Sequence, residues 1–139
     1  MNLNERIEAI AEDVAKREES HSEAMAQART KAGELHGVVS TAIERFNDTV
    51  SNRVPELHID VSAPRIDDKH IHAVEFELGR GRHRAVVTVK SKGEVTLVGP
   101  FRTGKKEGPC RSFPVAASDD IEDAMGDFLE RFLQEAVSP

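Results

Sequence analysis

The chain has 139 residues, 38% hydrophobic and 32% charged, with a net charge of −6, six Phe and neither Trp nor Tyr. That length suits one domain able to bury about two-thirds of its unfolded surface, on a core of aliphatics and Phe. The lack of Trp and Tyr argues against a base-stacking surface built on many aromatics. The single cysteine, Cys110, excludes an internal disulfide or a multi-cysteine zinc site.

The opening "MNLNERIEAIAED" is acidic and carries no apolar run of signal-peptide length. No stretch approaches the ~20 apolar residues that a bilayer span needs. A cytoplasmic protein without membrane contact is expected.

Residues 3–50 contain no proline and follow a helical period. Leu3, Ile7, Ile10, Val14, Met25, Ala28, Ala32, Leu35, Val39, Ala42 and Phe46 recur mostly at steps of three and four. The stripe weakens at "KREESHSE", and Gly33 and Gly37 interrupt its second half. A continuous helix of this length would run about 70 Å, against a radius of gyration of ~14 Å for a compact chain of this size. Either it breaks near Ser20–Ser22 or Gly33–Gly37 and folds back, or it projects and pairs with a second copy. Pairing is the favoured expectation, with Ile7, Ile10, Val14, Met25, Leu35 and Val39 as the oligomerisation face. The organisation expected is a helical arm or hairpin over 1–52 and a compact α+β domain over 53–139.

After Pro55 the period becomes two. "LHIDV" aligns Leu57, Ile59 and Val61; "AVEFEL" aligns Val74, Phe76 and Leu78; "AVVTV" aligns Ala85, Val87 and Val89; "VTLVGPF" aligns Val95, Leu97 and Phe101. These four runs read as an antiparallel meander with one apolar face. A short fifth strand at "RSFPV" would be confined to an edge by Pro114. The chain closes on an amphipathic helix, with Ser118 as N-cap, acids in its first turn, and an apolar stripe from Ile121 through Met125, Phe128, Leu129 and Phe132 to Leu133. The fold class expected is α+β: long N-terminal helix, four-stranded meander, and C-terminal helix on one sheet face.

Charge is segregated. Residues 79–111 hold nine basic and two acidic side chains, and residues 112–139 hold one basic and seven acidic. In a meander the "GRGRHR" turn (79–84) and the loop at 102–111 lie two strands apart, hence at one end of the sheet. Arg80, Arg82, His83, Arg84, Arg102, Lys105, Lys106 and Arg111 would gather there as an anion- or partner-binding end, unless the acidic C-terminal helix neutralises it. Gly79 and Gly81 are expected to supply positive φ in the turn.

Other motifs are weaker. "GPFRTGKK" places Gly99, Gly104 and Lys105 as a phosphate-binding loop would, but Lys106 stands where Ser or Thr should be. Glu107, Gly108 and Pro109 then break rather than start a helix. His58 and Asp60 facing His70 and His72 could offer metal ligands only if the strand register converges them. Cys110 would need His83 as its base to act as a nucleophile. No cofactor or metal is expected.

The helix–meander–helix order resembles that of small bacterial nucleoid-associated proteins of the YbaB type, which form dimers. The acidic chain with its amphipathic C-terminal helix also resembles bacterial secretion chaperones. The function expected is a non-enzymatic interaction or adaptor module. It would associate through its N-terminal helix and receive an acidic protein partner at the basic end. The alternative is nucleic-acid binding through that same end.

Overall fold

The computed structural model describes residues 1–67, 72–104 and 108–138. Helix α1 (Leu3–Ser51) is followed by a 3-10 turn (Pro55–Leu57). Six strands come next: β1 (Asp60–Val61), β2 (Arg65–Asp67), β3 (Ala73–Arg80), β4 (His83–Lys90), β5 (Glu94–Arg102) and β6 (Cys110–Pro114). Helix α2 (Ser118–Ala136) closes the chain. The architecture is α+β, with a fully antiparallel sheet ordered β1-β3-β4-β5-β6 and β2 also paired to β3.

Helix α1 is a single helix. Asn2 caps it, its side-chain oxygen accepting from Glu5 N–H at 2.8 Å. Gly33 and Gly37 neither interrupt it nor admit a close neighbour: both are exposed, and a Cβ at either would meet nothing within 4 Å. Residues 1–20 are exposed throughout, and burial starts near His21. From there Ala28, Ala32, Leu35, Val39 and Ile43 sink into the core shared with the sheet and α2. The expected boundary at 52/53 therefore falls between a helix and a sheet that share one core.

Period-two patterning decides the sheet faces. The registers Val74↔Val89↔Val95 and Phe76↔Val87↔Leu97 stack β-branched and aromatic side chains on one face, where all are buried. Both helices cover that face, α1 over β3 and β4, α2 over β4 and β5. The opposite face carries Glu75, Glu77, Thr88, Lys90, Glu94 and Thr96.

The strand expected at 57–61 is shortened to β1, and a further short strand, β2, follows beyond it. Pro55 opens the 3-10 turn that takes in Leu57. Ile59 is buried, and Asn47 of α1 holds both its backbone groups: Nδ2 donates to Ile59 O at 2.9 Å and Oδ1 accepts from Ile59 N–H at 2.8 Å. Beyond β1, Ser62 Oγ accepts the Glu77 N–H at 2.8 Å and Ser62 N–H donates to Glu77 O at 2.8 Å. Pro64, which has no N–H, interrupts the ladder before β2 resumes it. The "RSFPV" segment does form an edge strand, β6. The stripe expected on α2 is buried apart from Leu133, which is partly so. The N-cap of α2 is Ala117 rather than Ser118 and makes no side-chain capping bond.

Candidate interaction surfaces

The β3–β4 connection is a two-residue turn between paired Arg80 and His83, with Gly81 at φ +57°. A left-handed residue at that position matches the twist of a tight hairpin. Gly79, by contrast, has no positive φ. A Cβ there would overlap Arg84 Nη1, so its hydrogen makes room for that guanidinium. The turn is clasped to the β5–β6 connection. Thr103 N–H donates to Arg82 O at 2.8 Å, Arg82 Nη2 donates to Thr103 O at 2.9 Å, and His83 pairs with Arg102. The two connections lie at the same end of the sheet.

The cations gathered there have different jobs. Arg80 turns inward, Nη1 donating to Ala136 O at 2.7 Å and Nε to Glu56 O at 3.0 Å. Arg84 pairs with Gly79 in register and so stands on the uncovered face, where Nε lies 3.5 Å from Glu77. Arg65 joins that row at 2.9 Å from Glu75 and 3.8 Å from Glu77. Arg111 is registered with Leu97, five positions along β5 from Arg102, hence roughly 15 Å from the turn. Its guanidinium sits 5.1 Å over the Phe113 ring. Arg82 and Arg102 are left exposed at the end itself, with His83 half-buried beside them. Lys105 and Lys106 lie outside the described residues.

The other sequence candidates separate. "GPFRTGKK" runs from β5 into a turn at Thr103–Gly104, and the next element described is a strand, not a helix. Cys110 is exposed and registered with Val98, four positions along β5 from the Arg102 that faces His83, roughly 13 Å away along the strand. His58 Nε2 lies 3.4 Å from Asp60 Oδ1 at the surface. His72 packs edge-on against His21, ring centroids 5.1 Å apart, while His70 lies outside the described residues. Among the described residues no three His, Cys, Asp or Glu side chains are grouped to hold a metal, and no helix is long and apolar enough to cross a membrane.

The six positions expected on the oligomerisation stripe divide in two. Leu35 and Val39 are buried in their own chain's core, and Met25 packs partly against it. Ile7, Ile10 and Val14 remain 56%, 59% and 51% exposed, and Leu3 joins them at 70%. Ile10 and Ala28 are about five whole turns apart, so the arm's apolar face continues the face that packs on the sheet. The sequence reading missed an open groove of about 440 Å³ between α1 and α2, floored by Leu35, Ile121, Met125 and Leu129 with exposed Val38 on its rim. The adjacent pair Val38–Val39 was its signal, since it widens the apolar stripe of α1 beyond Leu35 and Val39, and here Val38 is left exposed.

The chain matches no family model, no curated protein and no solved structure.

Proposed function

We propose that this chain is a non-enzymatic interaction module that associates through the exposed first half of α1. The observation that carries the reading is the arm itself. Residues 3–20 form about 27 Å of helix, exposed along its whole length and carrying four aliphatics on one side. An isolated helix of that length is marginal in water, and its apolar stripe gains stability only when another surface covers it. The basic end, centred on Arg82 and Arg102, is the second docking surface. An acidic protein segment is proposed there over a phosphate backbone, because a short segment can engage Arg82 and Arg102 alone, whereas a duplex would bring its charge against a chain of net charge −6.

Sedimentation of the full chain and of residues 21–139 tests the reading. The full chain is expected to be heavier than one protomer at high concentration and the shortened chain to be monomeric. A full chain that stays monomeric at every concentration would overturn self-association.

A further inference from the structure

We infer that the arm pairs with the arm of a second copy in antiparallel orientation, an interface that rests on the self-association reading above. The apolar positions Leu3, Ile7, Ile10 and Val14 step by four, three and four, the spacing of a two-helix seam. Antiparallel pairing stacks Ile7 on Ile10 of the second copy and Leu3 on Val14 of the second copy, so four layers close with no polar residue among them.

Charge chooses the direction. Arg6 and Asp13 each precede a seam residue and flank the same side of the stripe. In an antiparallel pair those flanks face each other, so Arg6 meets Asp13 of the second copy, and the two-fold axis repeats the contact. In a parallel pair the flank before one seam residue faces the flank after the next. Asp13 would then meet Glu18 of the second copy, twice, and Arg6 would meet Ala11. Like charges at these positions oppose pairing as opposite charges favour it.

Space permits the arrangement. With Leu3 beside Val14, Met1 of the second copy reaches only to residue 16, short of His21 where the arm meets its own sheet. The two sheet domains would sit at opposite ends, their His21 residues ~40 Å apart. Four layers make a small interface, so the dimer is expected to dissociate on dilution.

Disulfide trapping and charge reversal test the geometry in a Cys110→Ser background. Mixed Leu3→Cys and Val14→Cys chains are expected to oxidise to the mixed dimer. Arg6→Glu is expected to weaken association about tenfold, and Arg6→Glu with Asp13→Arg to restore it. All these positions are exposed, so circular dichroism should show an unchanged fold. A dimer in which Leu3→Cys links to itself would overturn the antiparallel geometry while leaving self-association standing. A chain that is monomeric throughout would overturn both.

Discussion

Arg80 on β3 caps the carboxyl end of α2: its Nη1 donates to the carbonyl of Ala136 at 2.7 Å. Helix α2 has acids in its first turn and no basic residue in its last, so the cation its dipole favours there comes from another element. The same guanidinium also holds Glu56 O, tying the 3-10 turn, the sheet and the last helix together. Arg80→Met is expected to cost about 2 kcal/mol, the scale of a charge-assisted bond to a helix end. Urea unfolding monitored at 222 nm measures it; a loss under about 0.5 kcal/mol, the range of an ordinary surface substitution, would contradict the capping role.

Asn47 should be nearly as sensitive. Its amide serves both the N–H and the carbonyl of buried Ile59, and neither oxygen nor nitrogen can be spared. Asn47→Leu leaves two backbone groups without partners, for a loss of roughly 2–4 kcal/mol. Asn47→Asp keeps the acceptor but sets its second carboxylate oxygen against Ile59 O, an acceptor facing an acceptor, so it too should lose stability. The same unfolding measurement reads both variants, and a loss under about 0.5 kcal/mol in either would be inconsistent with this geometry.

Gly33 and Gly37 point to a stabilising change. Both sit mid-helix on the exposed side of α1 with open space where a Cβ would go. Each Gly→Ala substitution is expected to raise stability by about 0.5–1 kcal/mol. A thermal melt that falls rather than rises would mean those positions meet something in solution.

Acid should weaken the β4–β5 hairpin through Glu94. The Lys90 ammonium, 3.0 Å from its carboxylate, holds that carboxyl below its ordinary value, helped by Lys92 and Ser112 and opposed by partial desolvation. A lowered folded value means the unfolded chain binds the proton more readily. The contribution is therefore complete above roughly pH 4.3 and is lost as pH falls through the lowered value. Glu94→Gln should flatten that part of the stability-versus-pH curve. An unchanged slope between pH 5 and pH 3 would exclude Glu94 as its source.

The basic end separates two partner classes. An acidic peptide such as polyglutamate is expected to bind the full chain, and Arg82→Ala with Arg102→Ala to weaken it several-fold at low salt. Duplex DNA binding in place of the peptide, with a slope near −0.9 per phosphate contacted, would move the reading to nucleic acid.

Much of the fold was legible because side-chain period maps directly onto face. Val74, Phe76 and Leu78 announced a buried side of β3, and Ile121 to Phe132 a buried stripe on α2. Period alone does not say where a covering surface stops, so Ile10 and Val39 read alike although one is exposed and the other buried. The basic end was legible as a neighbourhood and not as a site. Strand parity would have placed Arg84 on the face of Glu77. Nothing local marks Arg80, whose partner Ala136 is 56 residues away. The split at Ser62–Pro64 was visible only as a proline after a short apolar run.

The continuity of α1 makes it a keeper of rotational phase. Between Val14 and Met25 the helix is unbroken, so no loop can absorb a change in residue number. One alanine inserted there would swing Leu3, Ile7, Ile10 and Val14 about 100° around the helix axis relative to the sheet. Seven would return them to within about 20° and displace them by ~10 Å. A surface packed against the arm would thereby be held at a set angle to the basic end, and the spacing between the arm and that end can be altered independently of their relative orientation.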